Sequence, residues 1–152
     1  MIVSLNKALK RKNELAGQIN KLKTRITKNN SLPEGSIKRF DTMQMIKQLQ
    51  KLRDDLVAIK TAIAIANVPI YEKINLMAEY KGEIEFLDTI DTKEGEINEG
   101  RFYGEDKPPV KYAATITADT IVAWQQAHER EISKLQDEID TFNHTTTVEI
   151  PG

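Results

Sequence analysis

The chain has no cysteine, only one tryptophan, and no apolar run near the roughly 20 residues that a membrane span needs. The first absence excludes disulfides, thiolate metal sites and cysteine nucleophiles. The last gives no transmembrane helix to expect, and Met1-Ile2-Val3-Ser4-Leu5-Asn6-Lys7 lacks the long apolar stretch of a secretion signal. A cytoplasmic location follows as the expectation, in a bacterial cell or an infected host. Catalytic signatures are equally scarce: no G-x-S-x-G, Walker or G-x-G-x-x-G pattern occurs. Of two histidines, His128 lies in His128-Glu129-Arg130-Glu131-Ile132, without the second His of a zincin helix. Position 125 is Gln, so the Glu-x-x-His of a carboxylate di-iron bundle is missing. Glu83 and Glu85, like Glu94 and Glu96, stand two apart on expected helix and point to different sides. A non-enzymatic protein without metal or cofactor is therefore expected.

What is present is helical periodicity. From Thr42 to Ala66 the apolar residues Met45, Leu49, Leu52, Leu56, Ile59, Ile63 and Ala66 alternate at steps of three and four. No Gly or Pro interrupts them. That is a heptad seam, the pattern of long helices that bury one stripe each against other helices. Ser4 opens a first helix over 4–28, with Leu5, Leu9, Leu15, Ile19, Leu22 and Ile26 on its stripe. Residues 29–36, with Pro33 and Gly35, read as a loop. Asp41 caps a second helix over 41–67, which Val68-Pro69 breaks, since proline suits the first turn of a new helix. A third helix is expected over 69–97, with Lys81 and Asp91 on its projected stripe. A loop follows over 98–110. A fourth helix over 118–142 carries Ile121, Trp124, His128, Ile132, Leu135, Ile139 and Phe142. Two short β-prone stretches, 112–116 and 146–150, are expected to pair. The expectation is thus a single all-α domain over 1–152, made of long antiparallel helices in hairpins or a four-helix bundle. A β-hairpin-like element sits near its C-terminus, and oligomerisation completes it.

The order of segments resembles a family. Ala8-Leu9-Lys10-Arg11-Lys12-Asn13-Glu14-Leu15 and Ile19-Asn20-Lys21-Leu22 in the first helix carry the likeness. So do Pro33-Glu34-Gly35, Leu56-Val57-Ala58-Ile59, Lys111-Tyr112, and Asp137-Glu138-Ile139-Asp140-Thr141-Phe142-Asn143 before Thr145-Thr146. Over nearly its whole length the chain resembles small bacterial and phage helical proteins often labelled septicolysin-like. That resemblance implies an all-α fold with a β-like turn and a ring-like homo-oligomer, with six subunits or a smaller even number expected. The cytolysin in the family's label finds no support in a chain without a membrane-length apolar run or a thiol.

The net charge of −1 hides a split. Residues 1–60 hold fourteen Lys/Arg against five Asp/Glu, and the remainder holds eight against eighteen. One reading packs the two halves against each other, within or between subunits. The other brings the basic half to an anionic ligand or nucleic acid. Duplex DNA is not expected as that ligand, because no helix-turn-helix signature occurs and the sequence pI is about 6.2. The expected partners are further copies of the chain in a closed homo-oligomer and a small anionic, nucleotide-like ligand held between subunits. Phage proteins that sequester nucleotide signals are the functional analogy. The competing reading is a structural or virion scaffold component. The expected ligand site joins Arg101, Tyr103, Lys111, Tyr112, Trp124 and His128, because aromatics stack on bases and cations pair with phosphates. Asn143 and Thr145 would add hydrogen bonds, with Arg11 and Lys12 arriving from a neighbouring subunit. The alternative for His128 and Trp124 is packing on the helix seam.

Overall fold

The computed structural model describes residues 1–98 and 108–152. It is mostly helical, with small antiparallel strand pairs. In chain order the elements are β1 (Ile2–Ser4), α1 (Leu5–Asn29), α2 (Thr42–Asn67), a 3-10 turn (Val68–Ile70), α3 (Tyr71–Asp88), β2 (Gly95–Ile97), β3 (Val110–Tyr112), α4 (Ala118–Thr145) and β4 (Thr147–Glu149). They form two compact units. One comprises Met1–Tyr71 with Ile139–Gly152, and the other Glu72–Glu138.

In the first unit α1 and α2 form an antiparallel hairpin. Ser4 caps α1 by accepting from the Lys7 amide at 3.4 Å, and Asp41 caps α2 by accepting from the Gln44 amide at 3.1 Å. The inward side of α2 is the heptad seam, with Met45, Ile59 and Ile63 buried and Leu49, Leu52, Leu56 and Ala66 half-buried. On α1 the matching steps run through Leu5, Ala8, Leu15, Ile19 and Leu22, all buried. Steps of three and four on both partners keep one stripe of each facing the other along the hairpin. Leu5, Ala8, Leu15, Ile59 and Ile63 join Val148 and Ile150 in one core cluster, with Phe142 packed against it.

The strand pairing differs from the sequence-based expectation. β4 pairs with β1, with Val3 opposite Val148, rather than with residues 112–116. β3 pairs instead with β2, with Glu96 opposite Lys111. The short β-branched run at the N-terminus decides the first pairing. It brings Val148 and Ile150 under the hairpin, and the Met1 ammonium donates to the Ile150 carbonyl at 2.6 Å. The chain ends are thereby clasped together.

The second unit sets α3 against α4 in antiparallel register. Lys73 pairs with Glu138, His128 Nε2 lies 2.8 Å from Glu83 Oε2, and Gln125 Nε2 donates to Asp88 Oδ1 at 2.6 Å. The third helix ends at Asp88, not near residue 97. The Thr89 amide and hydroxyl both bond back to the Phe86 carbonyl, at 2.9 and 2.6 Å. Asp91 then accepts from the Lys93 amide at 3.0 Å in an Asx turn. Such local side-chain bonds compete with helix continuation. Lys81 and Asp91 are accordingly exposed, and the inward steps from Ile70 pass through Lys73, Met77, Tyr80, Ile84 and Leu87. On α4 the steps from Ile121 pass through Gln125 and His128, which leaves Trp124 44% exposed. Gln125 is tolerated inward because its amide also donates to the Ile84 carbonyl at 3.2 Å. Thr117 caps α4, accepting from the Thr120 amide at 3.2 Å. The helix runs on to Thr145, where the Thr146 amide still donates to the Phe142 carbonyl at 2.9 Å.

Candidate functional site

The turn of the α1–α2 hairpin is built by local chemistry. Ser36 donates its amide to the Pro33 carbonyl at 3.1 Å, and Gly35 stands at the third turn position with φ +80°. That is the geometry of a type II turn, in which only a residue that accepts positive φ fits comfortably. The turn returns the chain so that Lys38, Arg39 and Phe40 lie just before α2, beside the last turns of α1. The α1 end closes on itself. The Asn29 side chain donates to the Arg25 carbonyl at 2.8 Å, and the Asn30 amide to the Ile26 carbonyl at 3.0 Å.

Two open hollows meet here. One of about 470 Å³ is lined by Asn29, Asn30, Lys38, Arg39, Phe40 and the first residues of α2. The other, of about 540 Å³, is lined by Lys21, Thr24, Arg25, Lys28, Asn29 and Phe40. Phe40 and Asn29 belong to both. The Arg25 guanidinium carbon lies 5.1 Å from the Phe40 ring centroid, a cation–π stack that holds the ring in place, and Phe40 remains 42% exposed. Among the described residues, none of Lys21, Arg25, Lys28, Lys38 and Arg39 is ion-paired. Asp41 already accepts from an amide of the first turn of α2. The arrangement has five unneutralised cations around one pinned aromatic ring. Its chemistry suits an anion that also carries a flat face.

The residues of the site expected from sequence lie on several elements. Arg101 and Tyr103 lie outside the described residues. Lys111 and Tyr112 lie on β3, where the Lys93 ammonium sits 5.5 Å from the Tyr112 ring centroid. Trp124 projects from α4. His128 turns to the α3 seam, its ring 5.0 Å from that of Tyr80 and its Nε2 on Glu83. Asn143, Thr145, Arg11 and Lys12 belong to the other compact unit. There Thr145 donates to the Thr141 carbonyl at 2.9 Å, and Arg11 lies 3.6 Å from Glu14. The triplet Lys38-Arg39-Phe40 went unremarked in the sequence, although the basic excess of residues 1–60 pointed to its neighbourhood.

Among the described residues no cluster of three or more His, Asp or Glu is placed to hold a metal ion, and no helix is long and apolar enough to cross a membrane. No family model matches the chain, and no curated protein matches it. A crystal structure of a functionally unknown conserved protein from Corynebacterium diphtheriae is similar, at TM-score 0.60 and 18% identity. The likeness covers 98% of this chain and 100% of that one. At that identity it speaks to the shared fold alone.

Proposed function

We propose that this protein is a non-enzymatic, homo-oligomeric helical binding protein that captures a phosphate-bearing anion at the cationic end of its α1–α2 hairpin. The observation that carries the reading is the pinned Phe40, shared by two hollows whose cations have no carboxylate partner among the described residues. Cations left unneutralised around a hollow attract anionic ligands, and the field of the basic half strengthens that attraction. A thermal-shift screen with pyrophosphate, mononucleotides and cyclic nucleotides tests it. A ligand at a hundredfold excess over its dissociation constant stabilises the native state by about 2.7 kcal/mol. For a chain of this size that raises Tm by roughly 5–11 °C. The shift should disappear in Arg25→Ala/Lys38→Ala. A flat screen, or an unchanged shift in the double variant, refutes the assignment. In the second case Arg101→Ala tests the site expected around Lys111 and Trp124.

One observation favours assembly as the other half of the function. From Thr61 to Tyr71 no residue is charged, in a chain that is 30% charged. The outward side of that stretch continues the three-four alternation through Val57, Thr61, Ala64, Val68 and Tyr71, all exposed. Val57, Val68 and Tyr71 are 57%, 69% and 56% exposed. A second seam opposite the first is what a helix carries when another helix covers it, so a closed homo-oligomer or a scaffold role rests on this face. The septicolysin-like resemblance supports the same helical oligomer. Sedimentation of the intact protein at hundred-micromolar concentration decides it, a monomer there counting against both forms of assembly.

A further inference from the structure

Resting on the anion-binding reading above, we infer that the ligand at the hairpin end is a single-stranded nucleic acid whose backbone runs along α1. The cations do not stop at the hollows. Lys7, Lys10 and Arg11 near its start and Lys21, Arg25 and Lys28 near its end share one solvent side of α1, away from the buried stripe of Leu5, Ala8, Leu15, Ile19 and Leu22. One acid, Glu14, interrupts them, and Arg11 lies against it at 3.6 Å. From Lys7 to Lys28 the row extends about 32 Å at 1.5 Å per residue. A mononucleotide spans a fraction of that length, whereas several successive phosphates of a strand match it.

Phe40 decides between one strand and two. In a duplex the base faces are stacked on one another and closed to side chains. In a single strand they are free, and any base can lie against an aromatic ring. Phe40 is exposed at the end of the cation row, and Arg25 fixes its plane. A site built for a terminal phosphate would offer backbone amides, and Asp41 already accepts from an amide at the start of α2. The surface therefore reads as a track for a phosphate chain that ends on a stacking platform.

Fluorescence anisotropy of a labelled twelve-residue oligothymidylate with the intact protein, alongside calorimetry of ATP and pyrophosphate, tests the inference. Four phosphate contacts give a slope of log K on log salt of about −3, so affinity should fall about 50-fold between 50 and 200 mM salt. Phe40→Ala should weaken the oligonucleotide about 5- to 100-fold. Lys7→Ala/Lys10→Ala, remote from the hollows and exposed, should flatten the salt slope by about one unit while leaving pyrophosphate binding unchanged. Circular dichroism of each variant confirms that the fold is intact. If ATP or pyrophosphate binds as tightly as the oligonucleotide and Lys7→Ala/Lys10→Ala changes neither, the strand inference falls and the anion site stands. If a duplex of equal length binds at least as well and Phe40→Ala has no effect, the single-strand inference is overturned. If none of the probes binds at 50 mM salt, both readings fall.

Discussion

Ile59 and Val57 stand two residues apart on α2 and face opposite ways, being 1% and 57% exposed. Truncating each to alanine separates the seam that makes the hairpin from the stripe that we assign to assembly. Ile59→Ala removes three carbons from the core cluster. The transfer loss is about 2.4 kcal/mol at roughly 0.8 kcal/mol per buried methylene. The unfilled volume among Leu5, Leu15 and Ile63 adds to it, for a total of about 3–4 kcal/mol. For a chain of this length that lowers Tm by roughly 6–16 °C. Val57→Ala should cost less than about 0.5 kcal/mol at 1 µM protein, where the outward face is in water. Urea titrations followed by helical circular dichroism give both values. Repeating them at 100 µM tests assembly. A dimer gains about 2.7 kcal/mol from a hundredfold rise in concentration, so the wild-type midpoint should climb. Val57→Asp should abolish the climb, because a carboxylate on a covered seam is buried without a partner. Equal costs for Ile59→Ala and Val57→Ala at 1 µM would refute the assignment of faces. A midpoint independent of concentration would refute the oligomer.

The remaining expectations concern caps, turn and acid response. Asp41→Ala removes the acceptor of the Gln44 amide and should cost about 1 kcal/mol by urea denaturation, with Asn restoring most of it. Gly35→Ala meets no neighbouring atom but forces a side chain to φ +80°, so it should destabilise by about 1 kcal/mol while Gly17→Ala, on the solvent side of α1, stabilises slightly. The hydrogen bond from Lys73 holds the Glu138 carboxyl below the usual glutamate range. Because that pKa is lower folded than unfolded, the stabilisation is present above the ordinary carboxylate range and fades as pH falls through the lowered value. Lys73→Met should therefore differ from wild type at pH 7 and converge with it in acid, which urea midpoints across pH 7 to pH 3 would show.

The helical skeleton was legible because its signal is long and redundant. The α2 seam repeats over Met45–Ala66, and every position named on it turns inward. Ser4 and Asp41 serve as caps because a polar oxygen before an apolar-periodic run has few other uses. Short elements were less legible. Three-residue strands have too few side chains to establish a period, so pairing was decided by Val3 and Val148 closing over the hairpin, a contact between opposite ends of the chain. On α4 the steps of three and four from Ile121 to His128 can pass through either Trp124 or Gln125, so spacing does not choose between them. The structure turns Gln125 inward, where Asp88 and the Ile84 carbonyl satisfy its amide, and leaves Trp124 exposed. The cationic hairpin end was only half legible. Charge counting located the basic half, but the approach of Phe40 to Arg25 depends on how the Gly35 turn returns the chain, and no single residue announces that.

The two proposed activities use different helices of one unit, which makes them separable. The cation row belongs to α1 and the hairpin end, and the uncharged stripe of Val57, Thr61, Ala64, Val68 and Tyr71 runs from the outward side of α2 to the start of α3. A ligand that is a polyanion and an interface that is apolar respond oppositely to salt. Rising ionic strength screens phosphate contacts and reduces the entropy gained by releasing counterions, while apolar burial is little affected. Moderate salt should therefore strip nucleic acid from the protein without dissociating the assembly. Val57→Asp should do the reverse, yielding smaller particles whose individual hairpin ends still bind. Neighbouring subunits in a closed oligomer hold their hairpin ends at fixed spacing, so a strand long enough to reach two of them binds more tightly than the sum of its contacts with one. A length series of oligothymidylates on wild type and Val57→Asp isolates that effect. Affinity should jump at the length that bridges two sites in the wild type, and rise smoothly in the variant. A smooth rise in both would mean that assembly and binding are independent functions of the same hairpin.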